Sequence, residues 1–176
     1  MIEVEAKIRI SDVEDCRRRV LGLARYVGKE RKIDDYYTLE SLSKYPKRSL
    51  RIRRMGKNYV VNFKQRVSYK NGVHAKKEVE FRVSDIAGFL ALIDNFGFRK
   101  WLRKKKVSEI YEVGKNFHIE INNVRGLGWF VEVEYLSSLE GVRKARRRVF
   151  EVIKKLGASK KDIVKDGYTK MLWDKK

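Results

Sequence analysis

The sequence has one cysteine, one proline and two histidines among its 176 residues. With Cys16 alone, no internal disulfide can form, and a reducing, cytoplasmic compartment is expected. Pro46 is the sole proline and no Gly/Ser-rich stretch interrupts the chain, so a single domain over residues 1–176 is expected. No apolar run approaches the ~20 residues of a membrane-spanning helix, and no secretory leader is legible, so no membrane partner is expected. His74 and His118 lack any metal spacing such as H-E-x-x-H and read as surface or rim residues. Neither G-x-x-x-x-G-K-[ST] nor G-x-G-x-x-G occurs, which removes the two common phosphate-binding loops. Negative charge is also scarce. Lys and Arg number 43 against 23 Asp and Glu, a formal net charge of +20. Such a chain calls for a polyanion: nucleic acid, a phosphorylated small molecule or an acidic surface. The runs RKWLRKKK (99–106) and RKARRR (143–148) are also consistent with plain solvated surface.

What is present is strict alternation. In residues 2–10, Ile2, Val4, Ala6, Ile8 and Ile10 share one face, and Glu3, Glu5, Lys7 and Arg9 the other, as in a period-2 strand. Ser11 with Glu14 predicts a capping box and a helix to about Gly28. Strands are expected at 33–39, at 49–55 and 59–66 around a Gly56-Lys57-Asn58 turn, at 74–83, at 99–113 and 117–124 around Gly114, and at 129–135 after the tight Gly126-Leu127-Gly128 turn. Ser84 and Ser137 are expected to cap two further helices, ended by Gly97 and Gly157. A short helical tail follows. Each main helix follows a strand with an E-x-E pair: Glu3/Glu5, Glu78/Glu80 and Glu132/Glu134.

On one strand face, residues i and i+2 are ~7 Å apart. The carboxylate pairs therefore sit side by side, as do Arg51 with Arg53, Asn62 with Lys64 and Arg66, and Lys104 with Lys106. One reading is an ordinary sheet with a charged outer face. The other is an α+β fold whose polar face lines a closed barrel, since segregated E-x-E and R-x-R pairs do not suit a mixed-charge exterior. Carboxylates enclosed there need a cation, and several glutamate oxygens suit Mg²⁺ or Mn²⁺. Cationic strands opposite would hold an anion. Metal plus converging cations describes a polyphosphate site.

These stretches carry a resemblance. E-x-E-x-K at 3–7, LRIRR, NFK, the second E-x-E, a basic strand and VRGLGWFVEVE occur in an order that resembles the CYTH family, the triphosphate tunnel metalloenzymes, over about residues 1–170. The resemblance implies a closed eight-stranded antiparallel β-barrel forming a tunnel, with helices packed outside. It implies metal ligation by Glu3, Glu5, Glu132 and Glu134. It implies a triphosphate grip by Lys7, Arg51, Arg53 and Lys64, completed on the basic strand by Lys104 and Lys106, although Arg103 and Lys105 have the same spacing. Asn122 stands where the family often has aspartate and can be neither anionic ligand nor base. Glu120 is the carboxylate placed to compensate, beside Lys7 as a catalytic candidate. Glu78 and Glu80 read as partners of tunnel cations ahead of metal ligands.

The implied function is metal-dependent chemistry on a small-molecule triphosphate, ATP or tripolyphosphate. Class IV adenylyl cyclase comes first, giving cyclic AMP and pyrophosphate. A triphosphatase acting on inorganic triphosphate, thiamine triphosphate or RNA 5′ ends is the alternative. A non-catalytic nucleic-acid-binding module is a further one, supported by net charge alone. Of Tyr36 and Tyr37, neighbours on a strand, one is expected to pack and the other to be free to stack on a base. An exposed Trp101 or Trp173 would mark a homodimer face.

Overall fold

The computed structural model describes residues 1–56 and 58–175, apart from the side chains of Met55, Gln65 and Arg66. Lys57 of the expected Gly56-Lys57-Asn58 turn and the side chain of Arg66 lie outside the described residues.

Eight antiparallel strands close into a barrel. They are β1 (Ile2–Arg9), β2 (Arg25–Thr38), β3 (Leu50–Met55), β4 (Asn58–Lys70), β5 (Val73–Val83), β6 (Arg99–Val113), β7 (Phe117–Val124) and β8 (Gly128–Ser137). Around the barrel the order is β1-β5-β4-β3-β2-β6-β7-β8, and β8 pairs with β1 to close the ring. Helices α1 (Val13–Leu21), α2 (Ile86–Asn95), α3 (Val142–Lys155) and α4 (Tyr168–Trp173) complete the chain, with a 3₁₀ turn at Lys160–Asp162.

The apolar core lies outside the barrel, between sheet and helices. Ile2, Val4, Ala6 and Ile8 of β1 are buried there with Val131 and Val133 of β8. Against them α3 lays Val142, Ala145, Val149 and Ile153, one stripe at helical spacing. Cys16 and Val20 of α1 join the same cluster. A smaller cluster seats Ile93 of α2 on Ile52 and Val61 of β3 and β4. With the apolar faces turned outward, the alternating polar faces have only the interior to occupy.

Several boundaries differ from expectation. The first helix ends at Leu21, not near Gly28, because Leu23 and Ala24 both donate to the Val20 carbonyl and the chain then turns into β2. Its N-cap is Asp12, which accepts from the Asp15 amide, rather than Ser11. Likewise Asp85, not Ser84, caps α2. Ser137 ends β8, and α3 starts at Gly141 with no side-chain cap. At Gly126-Leu127-Gly128 both glycines have positive φ, 82° and 91°, as the tight turn requires. The Asn71-Gly72 turn joining β4 to β5 has the same need, with φ 53° and 81°.

Candidate active site

Pairing decides which residues face inward. Lys7 lies opposite Glu132, and Glu5 opposite Glu134. Glu3 lies opposite Lys76. Lys64 pairs with Glu78, and Asn62 with Glu80. Arg53 lies opposite Asp34, which in turn lies opposite Lys104. The interior is therefore a ring of alternating charges, and nearly every cation has a carboxylate partner.

On one side three carboxylates converge. Oxygens of Glu3, Glu5 and Glu134 lie within 4.8 Å of one another. Lys64 donates to Glu3 and Lys76 to Glu5. Burial, with a hydrogen bond to Glu78, pushes the Glu3 carboxyl up to about 8. Burial, among its carboxylate neighbours, pushes Glu134 up to about 7. Burial also opposes ionisation of Glu5, but Lys76, Lys64 and Lys7 outweigh it and hold that carboxyl well below its usual range. Crowded carboxylates that resist ionisation are what a divalent cation would relieve, and a set of hard oxygen donors suits Mg²⁺ or Mn²⁺. The donor set thus fits the ion that the resemblance implies.

Glu132 lies apart from that trio. Its Oε2 accepts from Asn122 Nδ2 at 2.8 Å and from Lys106 Nζ at 3.5 Å. Asn122 is fully buried, and its Oδ1 accepts from the Ser108 hydroxyl at 2.5 Å. A neutral amide fills this position by giving Glu132 a donor, where a second carboxylate would repel it.

Across the interior, Arg53 donates to both Asp34 oxygens, at 2.7 and 3.0 Å, and Lys104 Nζ stands 3.0 Å from Oδ2. Burial disfavours the Asp34 anion, yet Lys104 and Arg53 outweigh it and hold the carboxyl well below its usual range. Glu120 accepts from Lys32 at 2.6 Å and from Lys106 at 2.7 Å. Burial is again outweighed, by Lys106 and then Lys32, and Glu120 stays ionised well below the carboxylate norm. Arg51 donates to Glu78 at 3.1 Å.

The chain after α3 runs across one end of the barrel. Ile163 bridges to Ile8, and the Val164 amide donates to the Lys7 carbonyl. His74 meets the Lys165 carbonyl at 3.2 Å. The Tyr168 ring then lies 5.2 Å from Lys7 Nζ and 5.5 Å from Lys104 Nζ, and 5.0 Å from the Phe130 ring. Tyr45 joins Thr169 at 2.8 Å, and Lys175 donates to the Gly126 carbonyl. This segment thus crosses that end of the barrel, with the Tyr168 ring as a floor beneath Lys7 and Lys104, and Glu3, Glu134 and Glu78 lie toward the opposite end.

Glu3, Glu5, Lys7, Arg51, Arg53, Lys64, Lys104, Lys106, Glu120, Asn122, Glu132 and Glu134 share the inward faces of their strands. The choice of Lys104 and Lys106 over Arg103 and Lys105 is resolved by pairing: the first two are buried and the second two exposed. Glu78 meets Arg51, Lys64 and Asn62, while Glu80 is exposed at the rim. Tyr37 packs toward α2, and Tyr36 faces inward, 5.6 Å from Lys104 Nζ. Trp101 is buried and packs with Trp173, which is half-buried, and Tyr45. Sequence reasoning missed Asp34, Lys76 and Lys32. The alternation in DDYYT and HAKKEVE carried the signal, but only strand pairing says which residues point inward.

Among the described residues no helix is long and apolar enough to cross a membrane. The family model described as CYTH domain matches residues 1–168. Among solved structures, the PH1012 protein of Pyrococcus horikoshii is 27% identical, with a TM-score of 0.81 over 96% of this chain and 98% of that one. A protein of Vibrio parahaemolyticus, provisionally named an adenylate cyclase, is 18% identical with a TM-score of 0.79 over 98% of each chain. The HpAC1 protein of Hippeastrum, provisionally an adenylyl cyclase and described as having dominant triphosphatase activity, is 15% identical with a TM-score of 0.63 over 97% of this chain and 93% of that one. At such identities the last two speak for the fold alone. No curated protein matches significantly.

Proposed function

The chain belongs to the CYTH domain family, and from that premise we propose that it is a metal-dependent enzyme that takes a triphosphate into the barrel through the end opposite the C-terminal segment. The observation that carries this reading is the juxtaposition of the Glu3, Glu5 and Glu134 oxygens with a wall of buried cations. Bound to those three glutamates, with Glu132 standing apart on Asn122 and Lys106, Mg²⁺ or Mn²⁺ would neutralise charge developing on phosphate oxygens. The rest is the work of side chains. Lys7, Arg51, Arg53, Lys64, Lys104 and Lys106 would hold the phosphate chain, taking its oxygens in place of their present carboxylate partners. Asp34 and Glu120 serve as internal counter-anions that keep these cations aimed inward. Glu120, held well below its usual range by Lys106 and Lys32, is a poor proton acceptor, so its part is to position Lys106.

Two reactions share this clamp. The sequence put ATP cyclisation first; the geometry favours hydrolysis. Cyclisation requires a nucleoside held with its ribose folded onto the α-phosphorus. The inward-facing aromatic residues Tyr36 and Tyr168 instead flank Lys104 at the closed end, where a terminal phosphate would lie. Hydrolysis needs only the clamped phosphates and a water. Cyclisation keeps one supporting observation, the Tyr36 ring turned inward, on which a base could stack. We place this chemistry in the cytoplasm, consistent with the lone cysteine. The test is a product assay with tripolyphosphate and with ATP, under Mg²⁺ and Mn²⁺, beside Glu5→Gln and Arg53→Ala. Orthophosphate lost in both variants is expected. Cyclic AMP with pyrophosphate would transfer the assignment to a cyclase, and no metal-dependent turnover would overturn the enzyme reading.

A further inference from the structure

The tunnel does not explain the charge of this protein. Its cations and carboxylates are matched almost one for one, as the pairs at Glu3, Glu5, Asp34, Glu78 and Glu120 illustrate. Nearly all of the +20 excess therefore lies on the outer surface. Helices α1 and α3 hold it differently. The three arginines of α1 are neutralised locally: Arg17 by Glu14 and Glu109, Arg18 and Arg19 by Asp15. Helix α3 differs. Arg143, Lys144 and Arg147 are exposed, and among the described residues none is in an ion pair.

This stretch breaks two local rules at once. Cations in a first helical turn oppose the helix dipole, and the first turn of α3 has no acidic residue to offset them. Arg143 and Arg147 are also like charges one turn apart, as are Lys144 and Arg148. Lys154 and Lys155 in the last turn suit the dipole and need no other reason. Arg148 lies over the Tyr135 ring and Arg146 donates to Ser68, but among the described residues no ion pair offsets Arg143, Lys144 and Arg147, and an uncompensated local cost is where a binding function is expected.

We propose that the outer face of α3, centred on Arg143, Lys144 and Arg147, binds the phosphate backbone of a nucleic acid. The proposal is independent of the chemistry in the tunnel. A membrane surface fits less well, because the apolar stripe of α3 is committed to β1 and β8 and nothing apolar remains on its outer face to insert. A linear polyanion suits cations repeated along a helix of 14 residues, ~21 Å long. The N-terminus of α3 follows the end of β8 that pairs with Ile2 and Glu3, so a strand lying on this face passes the Glu3 end of the barrel.

The test is fluorescence anisotropy with a labelled 20-nucleotide single-stranded RNA carrying a 5′-hydroxyl, titrated with the full-length protein at rising salt. One variant carries Arg143→Gln, Lys144→Gln and Arg147→Gln; glutamine keeps the helix propensity. A charge-matched control carries Lys29→Gln, Lys77→Gln and Arg82→Gln on other walls. Circular dichroism melts check that both fold. Binding should weaken with log salt, and the α3 variant should bind at least tenfold more weakly with a slope shallower by ~2, at ~0.7 per phosphate contact. The control should match wild type, and tripolyphosphate turnover should be unchanged in the α3 variant. Equal losses in both variants, or no RNA binding at low salt, would overturn the proposal. So would anionic phosphatidylserine vesicles binding through the same residues while RNA does not.

Discussion

On the proposed reading Asp34 stands where substrate charge would go, and removing it should unmask the clamp. In Asp34→Ala, the Arg53 guanidinium and the Lys104 ammonium lose the carboxylate that both contact at 3.0 Å or less. Asp34 is fully buried and Lys104 nearly so, so water reaches these charges poorly. Removing one partner of a buried pair costs about 3–5 kcal/mol. For a chain of this length each kcal/mol is about 2–4 °C in Tm, so a fall of roughly 6–20 °C is expected by differential scanning calorimetry. Tripolyphosphate should then reverse the loss, because it supplies the missing negative charge and no longer has to displace Asp34. Its upward shift of Tm should exceed that in wild type at equal concentration. Asp34→Asn, nearly isosteric, should behave likewise and guards against simple cavity collapse. A variant that melts within about 2 °C of wild type, or that gains less from tripolyphosphate, would refute the role of Asp34 as stand-in charge.

Glu5→Gln should lower Mn²⁺ affinity by more than the 10–100-fold typical of supporting residues, read by isothermal titration calorimetry. Arg53→Ala should weaken tripolyphosphate binding by about 2–5 kcal/mol, roughly 30-fold or more, by the same method. For pH, the signs follow from Glu3 and Glu134, whose folded values are raised to about 8 and about 7. A raised carboxyl favours the protonated folded state, so its contribution is lost as pH rises through the folded value. Metal-free protein should therefore lose stability from about pH 5, where these carboxyls ionise in the unfolded chain, to about pH 8, and level off above it; saturating Mn²⁺ should flatten that fall, and a Tm in EDTA that rises over this window would contradict it. Gly72→Ala should cost about 1–3 kcal/mol in urea unfolding, since its φ is 81° and a Cβ would come within 2.5 Å of Ile163 Cγ2.

Most of the barrel was legible because alternation is a local property of the chain. The E-x-E and R-x-R pairs pointed the right way because an apolar outer face leaves carboxylates and cations only the interior. Inside a run of like residues the pattern lost its power. Lys104 and Arg103 have the same neighbours and spacing, and only pairing with Asp34 on a strand distant in sequence separates them. Asp34 and Asp35 were equivalent for the same reason; the first is buried in the tunnel while the second holds Arg103 and Lys100 outside. At Ser11-Asp12 and Ser84-Asp85 two good caps stand side by side, and the aspartates prevail. The closed end was invisible in the sequence because it depends on where residues 163–175 travel after the last long helix.

That closure has a kinetic consequence. A barrel with a floor is a cul-de-sac, so whatever enters first leaves last. A phosphate group seated against Tyr168 cannot diffuse away until the remainder of the molecule above it has cleared the mouth. Products would depart in a fixed sequence, with the inner fragment trapped behind the outer one. The inner fragment, last to leave, would rebind the empty barrel and compete with fresh substrate, while the outer fragment, first to leave, would inhibit non-competitively. Product-inhibition patterns would therefore report the depth at which each fragment rests.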